Sequence, residues 1–281
     1  MSTELVIYCD ESESKGRFYS NFYGGLLIRA SALQVVSTGM ADRKNDLGLR
    51  AEVKWGAITP SVEGRYCELM TDLFGYLGDG SVKMRIMFTQ NRNVPDLTLE
   101  QRSNTYHLLY YQFVKHAFGL EFAGAPPVST RVRLLLDRMP TTAEQTQQFK
   151  SFVTALSHQP DLRRAKIEFP LDHVGEIDSH QHILAQCLDV VLGSMAFRLN
   201  DKHKDKPEGA RTRGRRTLAK ERVYKHINSL IRELQPGFNI GVSTGMHDGP
   251  ASRWSQPYRH WLFVPRNATR DDSVTKKGKT P

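Results

Sequence analysis

Apolar and polar positions alternate between two periods along this chain, and the changes of period mark out its elements. Residues 5–9 form a short apolar run that stops at Asp10-Glu11 and reads as a buried strand. Residues 18–28 (FYSNFYGGLLI) follow a polar turn and are aromatic and β-branched, so the two runs predict a hairpin. Residues 30–49 and 61–77 carry helical spacing. Period two returns at 82–89, where Val82, Met84, Ile86 and Phe88 alternate with Lys83, Arg85, Met87 and Thr89, as in a strand half-buried at its start. A long helix is expected over 99–118 and a strand over 131–137 (RVRLLLD). Residues 141–158 predict a helix capped by Thr141 or Thr142, with Glu144 supporting a capping box. Residues 165–171 predict a strand, 178–200 a helix, and 218–234 an amphipathic helix. Beyond 237 the chain reads as turns with one strand-like run at 260–264, and the polar tail from 266 is expected to be disordered.

Antiparallel strands first and strand–helix units later predict an α/β fold, a mixed β-sheet flanked by helices. The expected organisation is a core over 1–200, a basic loop over 201–217, a C-terminal helical and irregular extension over 218–265 packed on that core, and a disordered tail over 266–281.

The acids are the informative positions. Asp10 ends the first strand and Asp137 ends RVRLLLD. Ionised carboxylates at the ends of buried strands are costly unless paired or bound to metal. The other reading of each alone is a turn former or salt-bridge partner, and Arg138 stands beside Asp137. The helix over 178–200 changes the balance. At about 100° per residue, Asp178, His182, Gln186, Asp189, Gly193, Ala196 and Asn200 fall within one arc of about 80°. The remainder is apolar, so the helix is expected to be buried with its polar stripe facing a cavity or polar partners. In Glu52-Val53-Lys54, extended backbone would aim Glu52 and Lys54 the same way, as a metal ligand with a phosphate contact or as an exposed edge.

Charge adds a partner class. The chain has 281 residues and a formal charge of +9, of which +6 falls within 202–222, where nine Lys or Arg face three Asp or Glu. Lys202, Lys204, Lys206, Arg211, Arg213, Arg215 and Arg216 favour a nucleic-acid backbone without encoding sequence preference; a solvated loop is the plain alternative. Three cysteines at irregular spacing argue against a disulfide framework or a cysteine-based zinc site. No apolar run approaches the roughly 18 residues that span a bilayer, and no signal-peptide pattern opens the chain, so no membrane association and a cytoplasmic location are expected.

Four blocks, in order, resemble the bacterial domain-of-unknown-function 3800 family: Asp10-Glu11-Ser12 after a strand, Glu52-x-Lys54, the strand-ending Leu136-Asp137, and Gln186-x-x-Asp189 within an apolar helix. They cover roughly residues 5–200. The family commonly has Gly after Asp-Glu-Ser, whereas Glu13 stands here. The resemblance implies a ribonuclease-H-like fold in which acids from the first strand, a central strand and a late helix bind two metals.

Three aspartates within a few ångströms of one another could not all stay ionised, and a hard divalent cation with oxygen ligands removes the conflict. Carboxylates favour Mg²⁺ or Mn²⁺, and two ions about 3.5–4 Å apart suit phosphodiester hydrolysis. The expected ligands are Asp10, Asp137 and Asp189, with Glu52 the fourth. Glu11 is set aside because adjacent strand residues face opposite ways. Lys54 would hold the attacked phosphate and Gln186 would orient a carboxylate or water. His182 reads either as a proton carrier or as a satisfied core histidine. A metal-dependent nuclease acting on RNA or DNA is thus expected. Two other readings remain: a catalytically silent nucleic-acid-binding or scaffold protein of the same fold, and a small-molecule phosphoesterase. No Walker loop, GxGxxG fingerprint or GxSxG elbow is present.

Overall fold

The computed structural model describes residues 3–123, 128–137 and 142–276. Strand β1 (Thr3–Ser12) pairs antiparallel with β2 (Tyr19–Arg29), the predicted hairpin. Helices α1 (Ala30–Asp46) and α2 (Glu63–Gly78) lead to β3 (Val82–Gln90), which runs antiparallel to β2. After the short β4 (Asn93–Pro95) come α3 (Leu99–Ser103) and α4 (Thr105–His116). Strand β5 (Thr130–Leu136) then lies parallel to β1. Helices α5 (Ala143–Ala155) and α6 (Pro160–Arg164) precede β6 (Ile167–Glu168) and β7 (Val174–Glu176), both parallel to β5. Helices α7 (Ile183–Leu199), α8 (Arg215–Leu234) and α9 (Ser252–Ser255) follow. The chain then adds β8 (Tyr258–Phe263), parallel to β3, and β9 (Ala268–Arg270), antiparallel to β4.

The main sheet runs β6-β5-β1-β2-β3-β8, with β7 also on β5. Strand alternation splits β1 between two cores. Val6 and Tyr8 join α1, α2, α7 and α8 on one face, while Leu5, Ile7 and Cys9 join α4 and α5 on the other. Helix α7 is buried almost throughout, as its composition requires. It approaches β2 closely because Gly24 has no side chain: a Cβ there would meet Leu188 and Leu192 at 3.0–3.3 Å. No described helix is long and apolar enough to cross a membrane.

Several expectations are corrected. The helix over 99–118 breaks at Asn104, with its first turn closed by a Thr98–Gln101 capping box. Thr142 caps α5, but its reciprocal partner is Gln145 rather than Glu144; Thr141 lies outside the described residues. The strand expected over 165–171 is extended only at Ile167–Glu168, because Pro170 lacks an N–H and opens a short 3₁₀ turn. The helix expected from Asp178 begins at Ile183. Asp178 instead closes a 3₁₀ turn over Ser179–Gln181, accepting the His180 N–H at 3.2 Å. The C-terminal strand starts at Tyr258 rather than His260, and it joins the main sheet as an edge strand. The tail was expected to be disordered, yet β9 pairs with β4 and Lys276 bonds Asp201 at 2.7 Å. Glu13, at the position where the resembled family has Gly, adopts φ +49, a conformation costly for a side chain-bearing residue. An ion pair to Lys202 and the Asn21 N–H on its carbonyl hold it there.

The edge strand carries a pH-sensitive residue. His260 is 1% exposed, shares a hydrogen bond with Tyr258 at 2.6 Å and is ringed by Phe88 and Phe238. Burial lowers its pKa to about 4. Below the ordinary value near 6.5 the unfolded chain protonates this ring and the folded chain does not, so stability falls as pH drops from about 6.5 to 4. The loss is expected to reach at most about 3 kcal/mol. Melting temperatures measured across that window should show it, and His260→Gln should flatten the dependence.

Candidate functional site

Three aspartates reach one corner of the fold by separate routes. In the parallel β1–β5 pair, Cys9 lies opposite Leu136, and the Asp137 N–H continues the ladder by donating to the Cys9 carbonyl at 3.2 Å. Asp10 and Asp137 are therefore the next positions on neighbouring strands. Cys9 and Leu136 both face the α4 side, so alternation turns the next residues toward α7. Asp189 comes from α7. Glu11 points the other way, where the hydroxyls of Tyr106 and Tyr110 donate to it at 2.9 and 3.3 Å. Burial pushes the Glu11 carboxyl up to about 7 against those two hydrogen bonds.

The electrostatics show the crowding. Burial first, then the charge of Asp189, then Glu11 and Asp137 drive the Asp10 carboxyl well above the usual carboxylate range; the Glu11 N–H, 2.8 Å from Asp10 Oδ1, opposes this. Asp189 is raised by burial and by the charges of Glu52 and Asp137. Against this act the Trp55 N–H, donating to Asp189 at 2.6 Å, and the Lys54 ammonium.

Glu52 and Lys54 do face the same way, and they pair with each other at 2.8 Å. The Glu52 carboxylate also receives Ser179 Oγ at 3.1 Å and lies 3.1 Å from His180 Nε2. Gln186, 2% exposed, organises this segment: its carbonyl accepts the Val53 N–H and Lys44 Nζ at 3.1 Å, and its amide donates to the carbonyls of Ser179 and His180 at 3.0 and 2.8 Å. Gly193 leaves space for Trp55, whose side chain a Cβ would strike at 2.5–2.7 Å. The polar stripe of α7 thus meets the 52–55 segment along its length. Asn200 finishes it by binding the Phe18 and Tyr19 N–H groups at 2.8 and 2.9 Å.

Two expected stripe members fall elsewhere. Asp178 lies before the helix. His182 sits at its N-cap, 3.5 Å from the Tyr8 hydroxyl, with its pKa lowered by burial; it fits the satisfied histidine. Arg138 lies outside the described residues.

The basic segment divides. Lys202 pairs with Glu13, Lys204 with Asp201, and Arg213 with Glu221, while Arg216 donates to the Gly56 and Ile58 carbonyls. Lys206, Arg211 and Arg215 are exposed, with no ion-pair partner among the described residues. Lys220, passed over in the sequence because α8 reads as an ordinary amphipathic helix, stands over the Trp55 ring at 5.2 Å. Its pKa is lowered by burial and by Arg216 and Lys202, against the pull of Asp189. His180 was likewise unmarked, since its contact with Glu52 spans 128 positions.

A donor set of carboxylate oxygens whose mutual charge is unfavourable suits a hard divalent cation. Among the described residues no three His, Cys, Asp or Glu side chains are gathered closely enough to form a ready-made cage, and Lys54 contributes positive charge in their midst. No protein-family model matches the chain, and no curated protein is significantly similar to it.

Proposed function

We propose that this corner is a divalent-metal site for hydrolysing phosphodiester bonds of RNA or DNA, on a ribonuclease-H-like core. The observation that carries the reading is the convergence of Asp10, Asp137 and Asp189 on one face, with Asp10 raised by burial and by Asp189 and Asp137, and Asp189 by burial and by Glu52 and Asp137. The strand order supports it: an antiparallel β1–β2–β3 meander with β5 and β7 added parallel to β1, and acids from the first strand, a central strand and a late helix. This is the arrangement that the resemblance to the domain-of-unknown-function 3800 family implies.

Asp10, Asp137, Asp189 and Glu52 would hold Mg²⁺ or Mn²⁺, which when bound supplies Lewis acidity to a water and to the leaving oxygen. Lys54, released from Glu52, would neutralise the attacked phosphate, and Gln186 fixes the segment that carries both. Arg216 and Lys220 tie the start of α8 to residues 55–58, which sets the basic segment beside the acids. Labelled RNA and DNA incubated with purified protein in Mg²⁺, Mn²⁺ or EDTA should be cut only with metal. Absence of both cleavage and metal binding would favour the second reading, a silent nucleic-acid-binding protein in which Lys54 permanently balances the acids.

The basic segment gives a separate expectation. Neutralising Lys206, Arg211 and Arg215 to Gln should weaken polymer binding and flatten its salt dependence by roughly 0.7–0.9 log units of slope per lost phosphate contact. The melting temperature should hold, because these side chains make no internal ion pair among the described residues. Arg213→Gln should lower it modestly, because Glu221 then keeps only Lys225, at 3.2 Å, and the His203 carbonyl loses a donor. Unchanged affinity and salt slope in the triple variant would mean that the polymer binds elsewhere.

A further inference from the structure

Across the sheet from the acids lies a cavity of about 570 Å³, within the range of small-molecule sites. It is walled by β3, β8, the end of α4 and the segment before α9. Among the described residues its charged lining is entirely basic: Arg85, Arg253 and Arg259, with His116 beside them and no Asp or Glu.

Two of these arginines are an uncompensated pair. Arg85 and Arg259 are direct register partners on the parallel strands β3 and β8, at 1% and 7% exposure. Like charges side by side in a sheet repel, and burial raises the cost. Neither has a carboxylate partner among the described residues. Arg85 donates instead to the carbonyls of Met84, Pro257, Arg253 and Gln256 at 2.8–3.1 Å, and its Nε has no hydrogen-bond partner among the described residues. Arg259 donates to the carbonyls of Gly245 and Thr244 and to Gln256. Only backbone and amide dipoles answer the two charges. The strain registers on Arg85, lowered to about 9 by burial and by Arg259. Arg253, by contrast, pairs with Glu121 at 2.6 Å. Ser243 and Thr244 add polar groups to the wall, while Ile86, Met246, Pro250 and Trp261 give it an apolar side.

We infer that this cavity binds a small organic phosphate, its phosphoryl group against the Arg259 and Arg253 guanidinium groups with Arg85 behind them, and its body against Trp261 and Met246. The anion supplies the charge that the fold omits. Guanidinium groups suit phosphoryl oxygens because they donate in a planar fork.

The test uses the full chain in EDTA at low ionic strength, so that the carboxylate site plays no part. Orthophosphate and adenosine monophosphate are titrated calorimetrically, with chloride as the control. Each should bind saturably at one site and raise the melting temperature, the monophosphate more tightly. Arg259→Gln should weaken both at least tenfold. Met246 is 51% exposed, so Met246→Glu should fold; its carboxylate should compete for the arginines, weaken both ligands at least tenfold and raise the ligand-free melting temperature. If Arg259→Gln fails to fold, Met246→Glu decides. No saturable binding to the wild type, wild-type affinity in Met246→Glu, or binding of polynucleotide alone would overturn the inference.

Discussion

Asp10→Asn and Asp189→Asn are each expected to abolish the rise in melting temperature that Mg²⁺ or Mn²⁺ gives the wild type. Each should also cut phosphodiester hydrolysis by two or more orders of magnitude, the scale of losing several kcal/mol of transition-state stabilisation. The same substitutions should raise stability in EDTA by about 1–2 kcal/mol, because each removes one member of a set of buried like charges. The sign with pH follows from proton counts. Folded Asp10 keeps its proton above the ordinary Asp pKa, about 3.9, while the unfolded chain has released it. Metal-free stability therefore declines as pH rises past that value, and Asp10→Asn should flatten the decline. Polymer affinity should stay near wild type, since phosphate contacts and metal ligands are separate groups. Thermal melts with EDTA and with Mn²⁺, alongside cleavage assays, check every part. A wild-type metal response in both variants would show that the acids do not share a cation.

The acids were legible because their signal is local. A carboxylate that ends an apolar run, or interrupts an apolar helix, is visible without knowing what lies beside it. Asp10, Asp137 and Asp189 each had that signature, and two-residue alternation alone set Glu11 apart. What the chain hides is pairing across distance. Arg85 reads as the outward member of an alternating strand; only β8, arriving from 174 positions later, buries it beside Arg259. The tail reads as polar and disordered because β9 is three residues long and its partner β4 lies far back in sequence. The sequence pattern starts this helix at Asp178, about one turn before Ile183, because Asp178 can cap a 3₁₀ turn as readily as an α-helix, and the two differ by a single hydrogen-bond step.

Gln186 makes the sharpest test of how the site is assembled, since it is expected to matter without touching a cation or a phosphate. Its carboxamide joins three elements: α7, the 52–55 segment through Val53, and the 3₁₀ turn through Ser179 and His180. Two of those turn residues also contact Glu52. Gln186→Leu keeps much of the volume but takes the partner from the Val53 N–H and the His180 carbonyl, while the Ser179 carbonyl keeps the His182 N–H. Stranded buried polar groups cost about 1–3 kcal/mol each, so a loss of about 2–6 kcal/mol is expected from the two. The Glu52 segment should loosen, and the concentration of Mn²⁺ giving half-maximal cleavage should rise at least tenfold. Because Asp10, Asp137 and Asp189 remain, saturating Mn²⁺ should restore most of the maximal rate. Asp189→Asn should show no such recovery. Stability and metal dependence both close to wild type would remove Gln186 from the site. A maximal rate that stays low at saturating Mn²⁺ would instead place Gln186 against the reacting phosphate or its water.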